Sequence, residues 1–176
     1  MEVNIFPYIN KFCYIIHNLL FFANTPKKGG ILMANEDTIK LLEECNSGVQ
    51  MAVFSMEEIL EDVKDSDFRK TLIDSISAHR KLGDETHSYL SKCGCEAKEP
   101  NPVAKGMSWM KTNTKMLFDD SDKNCADLIT EGCNMGIKTL YRYLNEYKNA
   151  EDKAKNLAET IIREEESLRQ NIRCYL

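Results

Sequence analysis

The sequence predicts an all-α fold, on three observations. Only four prolines and eight glycines punctuate its 176 residues, and aromatics are few, which favours helix over a strand-rich fold with many turns. Apolar residues recur at alternating spacings of three and four over long stretches, the pattern of a helix packing face. Breaking residues cluster at a few places and leave long uninterrupted segments between them. With 43% apolar residues, the chain has the size and composition of one domain around a single core.

The first helix is expected from Asp37 to Val63, on the stripe Ile39, Leu42, Asn46, Val49, Val53, Met56, Leu60 and Val63. Asn46 is its one polar member. The second is opened by Ser66 as N-cap and gathers Phe68, Leu72, Ser75, Ile76, His79, Leu82, Gly83, Thr86, Tyr89 and Leu90 on one face. His79 stands at the centre of that face. Breakers follow between Ser91 and Pro102, where Asn101 as cap with Pro102 at the first helical position starts a crossover helix, Pro102 to Phe118. A third long helix runs from about Lys123 to Tyr147 on Cys125, Ile129, Cys133, Gly136, Leu140 and Tyr143. After a short link at Asn149, a fourth carries Ala154, Ala158, Ile161, Glu165, Leu168 and Ile172. Gly83, Gly132 and Gly136 each cost about 1 kcal/mol relative to Ala inside a helix. Close helix approach offsets that cost in one reading, and room for a ligand or partner side chain does so in another.

Short links join the first helix to the second and the third to the fourth, so each pair should form an antiparallel hairpin. Roughly 30 residues with a helix of about 25 Å separate the hairpins, enough to traverse the bundle. One long crossover between two hairpins is the ferritin-like arrangement; an up-down-up-down bundle with a docked fifth helix is the alternative. A di-iron centre in such a bundle draws a Glu from each of two helices and Glu-x-x-His from each of the other two. The inward positions do not supply that set. They offer Asn46 on the first helix, His79 preceded by Ile76 on the second, Gly132, Cys133 and Gly136 on the third, and Glu165 followed by Leu168 on the fourth. His79 is expected to be a core histidine with a hydrogen bond to Asn46 or Glu165, with a reduced site of His79 and Glu165 around iron or manganese as the alternative. Glu131 should be solvated, and of Glu164 to Glu166 one member turns inward.

Other chemistries find little support. The net charge of −5 and the absence of clustered Lys and Arg argue against nucleic-acid binding. Seven cysteines, odd in number and scattered, do not form a disulfide framework, and Cys93-Gly94-Cys95 is neither a thioredoxin-type pair nor half of a zinc site. No phosphate-binding glycine loop, nucleotide fingerprint or Ser/His/Asp order occurs.

Residues 1–32 differ in composition from the rest. The apolar run Ile5 to Ala23 is a poor membrane span because Pro7, Asn10, Lys11, His17 and Asn18 interrupt it. It also lacks a small-x-small cleavage site, so a signal peptide fits no better. Lys28-Gly29-Gly30 can be encoded by AAR-GGA-GGN, a purine-rich ribosome-binding sequence, and Ile31 and Leu32 then give the usual spacer before Met33. The segment is therefore expected to be translated upstream sequence, disordered or loosely helical, with the domain spanning residues 33–176; a membrane anchor at Ile5 to Ala23 is the alternative.

The link Glu99-Pro100, the segment Gly106-Met107-Ser108-Trp109-Met110 and the helix Ala-Asp-Leu-Ile-Thr-Glu-Gly-Cys-Asn-Met-Gly from Ala126 resemble the ferritin-like family catalogued as domain of unknown function 2383. They also resemble uncharacterised proteins of low-GC Gram-positive bacteria. The similarity runs from about Asn35 to Leu176 and implies a ferritin-like bundle. Where that family suggests a Glu on the third helix, this chain has Asn134 or Gly136.

These readings lead to a cytoplasmic, non-catalytic binding or structural module with no favoured cofactor, expected to self-associate through an apolar strip of its crossover helix. The alternative is a metal-binding redox or stress protein with iron or manganese on His79 and Glu165. A thiol sensor using Cys93 and Cys95 is a third reading. Mass spectrometry of the protein from native cells is expected to find Met33 or Ala34 at the N-terminus, and a peptide covering Phe12 to Lys27 would overturn the Met33 start.

Overall fold

A computed structural model describes residues 34–95 and 121–176, all within the unit Ile31–Leu176. Residues 1–32 with their Ile5–Ala23 run, the Met33 start and the crossover helix Pro102–Phe118 lie outside the described residues. The described residues form four α-helices and no strand: α1 Glu36–Leu60, α2 Ser66–Lys92, α3 Asp122–Glu146 and α4 Asp152–Ile172, with a 3₁₀ turn at Arg173–Tyr175.

Each helix starts where a local acceptor can take its free amides. Asn35 accepts from the Thr38 amide, and Ser121 from the Asn124 amide. Ser66 is the first residue of α2 and not its cap. Asp65 takes that role, because its carboxylate accepts from both the Asp67 and Phe68 amides, which hold its carboxyl below the ordinary range together with the Tyr175 hydroxyl. At α4 no side chain of the cap residue serves. The Glu151 amide instead donates to Thr38 Oγ1 on α1 at 2.8 Å, a tertiary contact doing the work of a local cap. The α2 helix ends at Gly94, whose φ of 73° is the left-handed conformation that glycine adopts without steric cost.

The buried stripes follow the predicted faces, widened on α1. Leu42, Asn46, Val49 and Met56 are buried there as expected, and Thr38, Leu41, Cys45 and Ile59 join them. A helix that packs on neighbours from two sides buries a band broader than one heptad seam. On α2 the inward set Phe68, Leu72, Ile76, His79, Leu82, Thr86, Tyr89 and Leu90 is buried throughout.

Hydrogen bonds at the two ends fix the helix directions. At one end Asp122 at the start of α3 accepts from the Lys64 amide at 2.7 Å and the Asp65 amide at 3.0 Å, so α3 begins where α1 finishes. Tyr175, beyond α4, reaches the same place, stacking on Phe68 and donating to Asp65 at 2.8 Å. At the other end Asn35 donates to the Asn149 carbonyl at 2.7 Å and Asp37 accepts from the Asn149 amide at 2.9 Å. Tyr89, late in α2, donates to Glu151. The helices therefore run up, down, down and up, with Cys95 and Ser121 at opposite ends and α2 parallel to α3. An up-down-up-down order is not adopted.

Apolar side chains of all four helices meet in two core regions. One holds Leu41, Leu42, Val49, Leu90, Ala154 and Ile161, and the other Met56, Phe68, Leu72, Ile129, Leu168 and Ile172. No helix among the described residues is long and apolar enough to cross a membrane. Replacing Asp122 by Ala removes both carboxylate bonds to the α1–α2 turn and should cost about 1–2 kcal/mol, since partly exposed amides regain water in part. Urea denaturation checks this, and an unchanged midpoint would mean that Asp122 does not tie the hairpins together.

Candidate functional site

Between the two core regions three of the four helices carry something other than a large apolar side chain. On α2, His79 falls between Ile76 and Leu82; on α4, Glu165 falls between Ile162 and Leu168; on α3, Gly136 falls between Cys133 and Leu140. The helix directions bring these positions to one level. His79 is wholly buried and Glu165 is 7% exposed. Their side chains meet, with His79 Nε2 3.3 Å from Glu165 Oε1, at the long end of the hydrogen-bond range.

The other face of the imidazole fixes its protonation. His79 Nδ1 lies 2.9 Å from the Ser75 carbonyl, which can only accept, so Nδ1 carries a hydrogen. Where Glu165 is ionised, Nε2 carries a proton as well and the pair is an imidazolium–carboxylate. Burial opposes the imidazole charge, but the hydrogen bond and charge of Glu165, the Ser75 carbonyl and the nearby Glu164 together raise the His79 pKa. Of the three consecutive glutamates, Glu165 turns in, Glu166 is exposed and Glu164 half-buried. Asn46 is buried at 3% exposure but is not the histidine's partner. It lies about one turn from Val49, the residue that faces Gly83, toward the opposite end of the core from His79.

Gly136 and Gly83 serve different purposes. A Cβ on Gly83 would come within 3.3 Å of Val49 Cγ1, so there a glycine permits close approach of α2 to α1. A Cβ on Gly136 would meet Glu165 Oε1 at 3.4 Å, an ordinary contact, so there the missing side chain leaves space over the carboxylate. That space is part of a cleft of about 130 Å³ between α1 and α3. Gly48, Ala52 and Ser55 line it from α1, Gly132 and Gly136 from α3, and Glu165 reaches it from α4. Small residues on two facing helices leave the volume that side chains would otherwise fill.

Sulfur chemistry at the site is subdued. Burial, reinforced by the charge and hydrogen bond of Glu165, pushes the Cys133 thiol up, and burial with Glu44 pushes Cys45 up to about 12. Burial also raises Cys93, with smaller contributions from Cys95 and Glu151, the opposite of what a reactive thiolate needs. None of the described cysteines is in a disulfide.

The ferritin-like donor set was tested against these positions. Helix α1 presents Asn46 and α3 presents Gly136, while the single inward carboxylate and the single imidazole already bond each other. Among the described residues no three His, Cys, Asp or Glu side chains are placed to hold one ion. The residues do not fit a di-iron centre. Comparison of the chain with protein-family models, with curated proteins and with solved structures found no match.

Sequence reasoning singled out His79 and Glu165, and the structure brings them together. It did not find the cleft or the place of Cys133 beside Glu165. The glycines at 132 and 136 were the available signal. The raised His79 pKa gives a pH dependence. Protonation favours the folded state, so this contribution is complete below the ordinary imidazole value of about 6.5 and is lost as pH rises through the folded value. The groups facing His79 are Glu165, Ser75 and Glu164. Urea midpoints should fall from pH 6 to pH 9 in the native protein and fall less in His79→Gln; equal slopes in the two would show that His79 is uncharged when folded.

Proposed function

We infer that the protein is a ferritin-like bundle acting as a non-catalytic binding or structural module. The arrangement of the helices supports the first part. Cys95 and Ser121 lie at opposite ends and α2 is parallel to α3, an order that ferritin-like bundles share. The resemblance of the third helix and the Gly106–Met110 segment to the ferritin-like family points the same way.

One observation carries the second part. The cleft is mostly apolar, and of the two carboxylates that line it the buried one, Glu165, is bonded to a histidine of the same molecule, while Glu44 is half-buried. A buried acid and base bonded to each other are poor ligands, because recruiting either to an ion leaves the other buried and unpaired. A space bounded by small residues suits a bound molecule or a partner side chain better than a reaction.

Protein purified without chelator is expected to contain iron and manganese far below one ion per chain by mass-spectrometric metal analysis. Stoichiometric iron or manganese that disappears in Glu165→Ala would overturn the reading in favour of a metal protein.

A further inference from the structure

The cleft between α1 and α3 restricts what it can hold by the atoms in its walls and by its two carboxylates, the half-buried Glu44 and the buried Glu165. Its volume is about 130 Å³. An apolar cavity of about 150 Å³ accommodates a benzene ring, so a space of this volume has room for one six-membered ring.

The walls favour an aromatic ring over a saturated one. Cys45, Met51, Met56, Cys133 and Met135 all line the cleft, five of its 21 described residues, whereas the 176-residue chain has only 7 Cys and 8 Met. Thioether and thiol sulfur atoms make favourable contacts with ring edges at about 5 Å. Small residues in between let a flat molecule lie against backbone.

Glu165 defines the polar end. Its side chain is 9% exposed, and it lines the cleft. A carboxylate offers about four acceptor positions, of which His79 and the Cys133 thiol use one each. Acceptor capacity remains for a ligand. His79 already bonds Glu165, and a neutral hydroxyl would complete the hydrogen bonding of this carboxylate without bringing a further charge into a mostly apolar cleft.

We propose that the α1–α3 cleft binds a neutral single-ring aromatic molecule bearing a hydroxyl group, with the ring among the sulfur atoms and the hydroxyl donating to Glu165. The proposal rests on the binding-module reading and gives its ligand a chemical class.

Phenol titrated into the full chain, followed by amide chemical shifts, provides the test, with toluene as the ring of equal size that lacks the donor. Phenol should shift the Gly132 and Gly136 amides and bind at least about tenfold more tightly than toluene, a difference of about 1.4 kcal/mol. Gly136→Val, which fills the space over Glu165, should weaken phenol binding at least about tenfold with the helical circular dichroism retained. Ala52→Leu does the same from the opposite wall and serves if the first variant does not fold. Equal binding of phenol and toluene, no shift at about 10 mM phenol, or unchanged binding in both variants overturns the proposal. Metal-free protein that ignores phenol sinks this inference alone, while stoichiometric iron lost in Glu165→Ala sinks the binding-module reading whatever phenol does.

Discussion

The buried contact between His79 and Glu165 is the constraint around which the four helices are arranged. It joins α2 of the first hairpin to α4 of the second, and it lies where the apolar core divides into two regions. Sliding either hairpin by one turn would bury each charge against leucine or isoleucine, at a cost of several kcal/mol for each unpaired ion. Two apolar faces alone would tolerate such a shift more easily, because leucine and isoleucine are interchangeable partners. The pair adds little net stability over a well-packed apolar pair and contributes register instead, a role comparable to a single polar residue in a coiled-coil seam.

The same pair accounts for the quietness of the surrounding chemistry. A carboxylate already bonded to a histidine is a poor general base, and burial, reinforced by Glu165, pushes the neighbouring Cys133 thiol up. The buried cysteines thus behave as small apolar residues that fill the core and line the cleft. This separates the arrangement from a redox centre, in which low thiol pKa values and open coordination positions are the rule.

Much of the fold was legible because long helices repeat their signal. The α2 face could be read almost residue by residue, since Phe68, Leu72, Ile76, His79 and Leu82 follow one period without interruption. On α1 the band was read too narrowly, as Thr38, Leu41, Cys45 and Ile59 lie toward a second neighbour that a single-helix period does not reveal. The end contacts were illegible for another reason. Asp122 falls just before the helix expected from Lys123, and Asn149 looked like a linker residue, because their roles depend on partners more than 50 residues away in sequence. For the site, a histidine and a glutamate alone among apolar residues were conspicuous, whereas a cleft is made of missing side chains and announces itself only through glycines whose other uses are many.

Those end contacts have a consequence for the middle of the molecule. Asp122 holds α3 to the α1–α2 turn, and Asn35, Asp37 and Thr38 hold α1 to the α3–α4 turn, so α1 and α3 are pinned to each other's hairpins at both extremities. Between those anchorages the two helices behave as parallel beams resting on fixed abutments. Their separation is set by the supports and not by whatever lies between them, so the gap at Ala52 and Gly136 persists without side chains to prop it open.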